Sequence, residues 1–176
     1  DSLSDMISFG AAPALVIYEW ALKDMGKLGW IAAFIYCACA ALRLARFNTN
    51  LGVVDKRFFQ GLPSPAAAAL IAGLIWVMLD FQVKGADIRW LAWGVTLFAG
   101  LTMVSNLPYY SGKEINLRKS LPFITILLLA LFFFVVIPSH PPVVLFCLFV
   151  LYVLSGYVLW LWRLAKKNRN SRVPNA

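Results

Sequence analysis

Asp1-Ser2-Leu3-Ser4-Asp5-Met6-Ile7-Ser8-Phe9-Gly10-Ala11-Ala12-Pro13-Ala14 opens the chain and feeds an apolar run that continues to Leu22. A helix over this stretch stacks Asp1 and Asp5 on one face, about 6 Å apart along the axis. Like charges at that spacing repel, and at the mouth of a membrane-length apolar run they also lose hydration. Two readings stand side by side. Acidic residues suit the first turn of any helix, where free N–H groups and the macrodipole welcome negative charge. Alternatively, the pair shares a divalent cation, since Mg²⁺ or Mn²⁺ takes carboxylate oxygens and also holds substrate phosphates.

The rest of the chain repeats the apolar theme. Of 176 residues, 61% are hydrophobic and only 14% charged, with mean hydropathy +0.76. A soluble domain of this size has too little interior for that many apolar side chains. Six apolar segments are predicted, at residues 6–22, 28–44, 65–79, 88–107, 121–137 and 143–164. Most approach the roughly 20 residues that a bilayer core requires. The expected fold is therefore all-α, a polytopic transmembrane bundle with six membrane helices. Residues 1–164 form the transmembrane domain and 165–176 a basic cytoplasmic tail.

Charge fixes the orientation. The net charge is +8, which in a soluble protein would point towards nucleic acid. Here the basic residues alternate by connection, and no nucleic-acid partner is expected. Arg43, Arg46, Lys56 and Arg57 share one side with Lys113, Arg118, Lys119 and the basic residues of the tail. The other side holds Lys23, Lys27, Lys84 and Arg89. The positive-inside rule places Asp1, Asp5 and the tail in the cytoplasm, with the tail near anionic headgroups.

Several chemistries are excluded. Cys37, Cys39 and Cys147 lie in apolar runs without a metal or disulfide spacing, and read as small buried hydrophobes. His140 is the single histidine and falls in a Pro-rich turn on the far side. No Ser/His or Cys/His nucleophile system can be assembled. The tryptophans and tyrosines gather near segment ends, as an interfacial belt does.

Three further stretches share the face of Asp1 and Asp5. In Ala41-Leu42-Arg43-Leu44-Ala45-Arg46-Phe47-Asn48, two arginines three apart sit on one helix face. They either grip phosphate or carboxylate bidentately or simply anchor the helix end by snorkelling. In Gly61-Leu62-Pro63-Ser64-Pro65-Ala66-Ala67-Ala68, two prolines bracket Ser64, and Pro65 suits a helix start. The third is Met103-Val104-Ser105-Asn106-Leu107-Pro108-Tyr109-Tyr110-Ser111-Gly112-Lys113, a helix end followed by an aromatic turn.

Together with the opening residues, these stretches resemble the CDP-alcohol phosphotransferases, and within them the phosphatidylserine synthase branch. The family signature runs Asp-x-x-Asp-Gly-x-x-Ala-Arg, a spacer, then Gly-x-x-x-Asp-x-x-x-Asp, and Asp1 and Asp5 match its last two aspartates. The earlier part is not in the sequence. The chain therefore reads as starting mid-motif in a longer protein, with the upstream helices of the family core missing, and the 176 residues alone are expected to be inactive. The resemblance spans Asp1 to Lys113, and the last two segments add only hydrophobic length.

The resemblance implies transfer of the phosphatidyl group from CDP-diacylglycerol to L-serine with release of CMP, dependent on Mg²⁺ or Mn²⁺. It implies Asp1 and Asp5 as metal ligands, with Asp5 also the general base. Arg43 and Arg46 are expected to bind lipid phosphate or serine carboxylate, with Asn48 and Ser64 as further substrate-binding candidates. It implies a homodimer in the inner membrane, in contact with membrane lipids, with the active site on the cytoplasmic face. A sister enzyme using glycerol phosphate or inositol, and a transporter or scaffold, are the alternatives. A transporter should carry polar or broken helices at mid-membrane, whereas here the ionisable residues cluster at the segment ends.

Overall fold

In the computed structural model, residues 2–49, 58–110 and 140–170 are described. They form a helical bundle tied at one end by a short β ribbon. Helix α1 covers residues 2–22 and widens twice into π-helical turns. Its α-helical parts, Ser2–Met6 and Ala12–Ile17, alternate with π-helical turns at Ile7–Ala11 and Tyr18–Leu22. Pro13 accounts for the first change. It has no N–H to offer the carbonyl of Phe9, and its ring crowds that carbonyl. The turn before it widens, so that Ala12 N–H reaches Ile7 O, and the Tyr36 hydroxyl donates to Phe9 O at 2.9 Å.

After a 3₁₀ turn at Lys23–Met25, helix α2 spans Lys27–Thr49. It runs five residues beyond the expected apolar segment, so Arg43, Arg46 and Asn48 all stand on regular helix. Helix α3 covers Ser64–Asp80 and α4 covers Arg89–Val104. Helix α5 runs from Pro141 to Asn170, so the backbone stays helical into the first part of the expected tail. Expected segment 121–137 lies outside the described residues.

Two of these helices, Lys27–Thr49 and the stretch Pro141–Trp162 of α5, are long and apolar enough to cross a membrane, at mean hydropathies of 1.8 and 2.4. Ser64–Asp80 is apolar but shorter. The core lies where α1, α2, α3 and α4 meet, with Ile17, Leu22, Tyr36, Leu62, Ile71 and Met103 almost fully buried. The hydroxyls of Thr96 and Thr102 are buried too. Each donates to the carbonyl four residues back, Ala92 O and Phe98 O, at 2.7 Å, so neither is left unsatisfied. Cys39 is buried as expected, but Cys147 is exposed. Its thiol is apolar enough to sit on the outer face of a membrane helix as readily as inside.

The ribbon was not foreseen. Strand β1 (Phe58–Gln60) pairs antiparallel with β2 (Pro108–Tyr110), with Phe59 opposite Tyr109. Main-chain bonds extend it: Gly61 N–H donates to Leu107 O at 2.9 Å and Leu62 N–H to Thr102 O at 3.1 Å. Gly61 has φ +83°, and a Cβ there would collide with the carbonyl oxygen of Met103. Only glycine allows the loop to lie so closely on the end of α4.

Candidate active site

Three of the residues singled out from the sequence, Asp5, Arg43 and Ser64, converge where α1, α2 and α3 meet. A small cavity of about 90 Å³ opens there, lined by Asp5, Met6, Phe9, Arg43, Ser64 and Pro65, among others. Each polar member comes from a different element. Asp5 sits in the first turns of α1 and is exposed. Arg43 reaches in from the last turns of α2. Ser64 begins α3, where Pro63 O accepts from Ala66 and Ala67 N–H at 3.0 and 3.1 Å. That start buries Ser64 to 6% exposure and aims its hydroxyl at α2.

Arg43 is the centre of the arrangement. Its Nη1 donates to Ser64 Oγ at 2.9 Å. Its Nε is buried and finds no acceptor among the described residues. An unsatisfied buried donor on a cation is costly, and an anionic oxygen delivered through the cavity would satisfy it. Asp5 and Tyr152 of α5 both lie within electrostatic reach of the guanidinium. Tyr152 is a neighbour that the sequence did not reveal, since α5 reads as hydrophobic length alone.

The other candidates are placed elsewhere. Arg46 turns to the end of α4, where Nη2 donates to Asn106 Oδ1 at 2.6 Å and Nη1 to Val104 O at 3.4 Å. Asn48 donates from Nδ2 to Ser2 Oγ at 3.1 Å, tying the end of α2 to the start of α1. Neither lines the cavity. Asp1 lies outside the described residues. The sequence reading therefore located Asp5, Arg43 and Ser64 together, and passed over Asn106, Tyr109 and Tyr152. The first two stand in the quoted Met103–Lys113 stretch, which in sequence is a helix end followed by an aromatic turn.

Tyr109 is fully buried, and its hydroxyl donates to Val153 O of α5 at 3.0 Å. Burial pushes its phenol well above the usual tyrosine range, so it stays a neutral donor. Its ring packs at 5.6 Å from that of Tyr152.

A divalent cation is compatible with this donor set in kind. Asp5 offers hard oxygen donors on the cavity, no thiol or imidazole lines it, and Mg²⁺ commonly uses one or two carboxylates while keeping water and substrate oxygens as its other ligands. Among the described residues no group of three or more His, Cys, Asp or Glu side chains gathers, so a closed all-protein cage is not what these residues build.

No family model matches the chain, but individual proteins do. A CDP-diacylglycerol–serine O-phosphatidyltransferase of Helicobacter pylori is 30% identical over 168 residues, covering 94% of this chain and 68% of that protein. One from Methanocaldococcus jannaschii is 36% identical over 109 residues, 62% of this chain and 47% of the relative. An archaetidylserine synthase of Methanothermobacter thermautotrophicus is 35% identical over 109 residues, 62% of this chain and 42% of the relative. With its membrane-length helices and this likeness along nearly its whole length, the chain belongs to the phosphatidylserine synthase branch of the CDP-alcohol phosphotransferases.

Proposed function

We propose that this protein is a CDP-diacylglycerol–serine O-phosphatidyltransferase whose reaction takes place at the cavity between Asp5, Arg43 and Ser64. The single observation that supports this most is Arg43, a half-buried cation with one donor held by Ser64 and another awaiting an acceptor beside an acidic residue. That is a receptor for an oxyanion, either the lipid phosphate or the serine carboxylate.

In the reaction, the serine hydroxyl oxygen forms a bond to the phosphorus attached to the lipid, and the bond from that phosphorus to the CMP oxygen breaks. The hydroxyl proton passes to a base, and CMP leaves with the electron pair. Asp5 is the base in this proposal, reaching the hydroxyl from the cavity rim. Arg43 orients the anionic group, and Ser64 holds the guanidinium in position. Asp1 and Asp5 would hold Mg²⁺ or Mn²⁺, which when bound supplies charge neutralisation at the pyrophosphate. Arg46 and Asn48 remain substrate-binding candidates, acting from outside the cavity walls. Six membrane helices, a cytoplasmic-facing site in the inner membrane and a homodimer complete the proposal. The charge alternation across the connections supports the orientation.

The deciding experiment measures CMP release from CDP-diacylglycerol by the full-length enzyme in proteoliposomes, with and without L-serine. Release that requires serine is expected. Release driven by glycerol phosphate or inositol instead would assign a sister enzyme, and no release with any acceptor would overturn the proposal.

A further inference from the structure

Among the described residues, none of α5 lines the cavity, yet α5 carries a built seat. Gly156 faces the aromatic ring of Tyr109 so closely that a Cβ would strike it. One turn earlier, Val153 O accepts from the Tyr109 hydroxyl at 3.0 Å. Tyr152 lies alongside, its ring 5.6 Å from that of Tyr109. These three positions occupy one face of α5 by helical spacing. Ring, hydroxyl and neighbour are thus each matched, which ties Tyr109 of β2 to α5.

What β2 does with that fixation follows from the main chain. Tyr109 stands opposite Phe59 in the ribbon. From there Gly61 and Leu62 are bonded to Leu107 O and Thr102 O, and Ser64 follows two residues later with its hydroxyl on Arg43. Main-chain bonds carry the path from the ribbon through Gly61 and Leu62, and the covalent chain carries it on to Ser64, whose hydroxyl meets the Arg43 side chain. A displacement of Tyr109 would pass along this path towards Ser64.

We infer that Tyr109, seated on Tyr152, Val153 and Gly156 of α5, is a positioning residue that sets where Ser64 holds the Arg43 guanidinium. The inference rests on the reading of Arg43 as a substrate-binding group.

Steady-state kinetics of the full-length enzyme in proteoliposomes tests it, with both KM values and kcat measured for Arg43→Lys, Gly156→Ala, Tyr109→Phe and the double variant Arg43→Lys/Gly156→Ala. Arg43→Lys identifies the substrate whose KM depends on the guanidinium. Gly156→Ala should raise the same KM by roughly tenfold, within what a displacement below 1 Å produces. It should leave kcat and the other KM nearly unchanged, which general loss of fold does not do. The double variant should be no worse than Arg43→Lys alone, because both act on one contact. Tyr109→Phe keeps the ring and removes only the bond to Val153, so it should raise that KM by a smaller factor, with no more than a small fall in the unfolding midpoint. If Gly156→Ala and Tyr109→Phe leave that KM at the parent value while Arg43→Lys raises it, the inference is overturned and the site reading stands. If Gly156→Ala does not fold, Tyr109→Phe decides alone by the same criterion. If Arg43→Lys changes neither KM, the site reading fails and the inference falls with it.

Discussion

The hydroxyl of Tyr36 donates to the carbonyl of Phe9 at 2.9 Å, and it does so where Pro13 has withdrawn the N–H that would otherwise serve that carbonyl. A side chain of α2 thus completes the backbone of α1, and it does so within one turn of Asp5 and the cavity. Proline widens the turn, tyrosine satisfies it, and the helix that presents the carboxylate is held against the helix that presents the arginine.

This pairing makes Tyr36→Phe costly in stability, by about 1 kcal/mol or somewhat more for a part-buried carbonyl that loses its donor. Pro13→Ala returns an N–H to the same carbonyl. The double variant should therefore be more stable than the sum of the single changes predicts. Thermal unfolding in detergent measures all three; strictly additive losses would show that proline and tyrosine do not share the carbonyl.

Asp5→Asn should lower serine-dependent CMP release at least about 100-fold, the scale of a lost general base, with the unfolding midpoint unchanged because Asp5 is exposed. Binding of Mn²⁺, followed by its electron spin resonance signal, should weaken in the same variant. Near-parental CMP release with divalent metal present would remove Asp5 from the chemistry.

The two arginines should separate. Arg43→Lys keeps the charge but cannot hold Ser64 and an oxyanion in one planar fork, and should raise one substrate KM about tenfold. Arg46→Lys loses the bond to Asn106 and should chiefly lower the unfolding midpoint, an effect that Asn106→Ala should reproduce. An Arg46→Lys enzyme with an equally raised KM would show Arg46 acting on the substrate, from outside the cavity walls, as strongly as Arg43 does within them.

Gly61→Ala combines a left-handed backbone with a collision against the Met103 carbonyl, and should cost roughly 2 kcal/mol or more. Gly94 lies on α4 with open space around it, so Gly94→Ala should be neutral or slightly stabilising there. Equal unfolding midpoints for the two variants would contradict the close docking of the loop.

Much of the site was legible because its chemistry depends on residue type. A carboxylate, an arginine and a proline-bracketed serine at the ends of apolar runs announce a polar face, wherever the helices lie. What spacing could not convey was aim. Arg43 and Arg46 share a helix face, but three residues leave them about 60° apart in azimuth, enough to send one into the cavity and the other to α4. Tyr109 was illegible for a different reason, since its partner stands 44 residues along the chain. Hydropathy alone also cannot tell the lipid side of a membrane helix from its packed side, and so Cys147 was read as buried.

The seat on α5 also has a consequence for biosynthesis. Tyr109 is synthesised 44 residues before Val153, so β2 is made before the surface that orients it. The earlier helices can insert and pack as they emerge, but Ser64 and Arg43 reach their final register only once α5 has joined the membrane. Nascent chains stalled short of Gly156 would hold every cavity-lining residue named above and still lack the contact that sets their geometry.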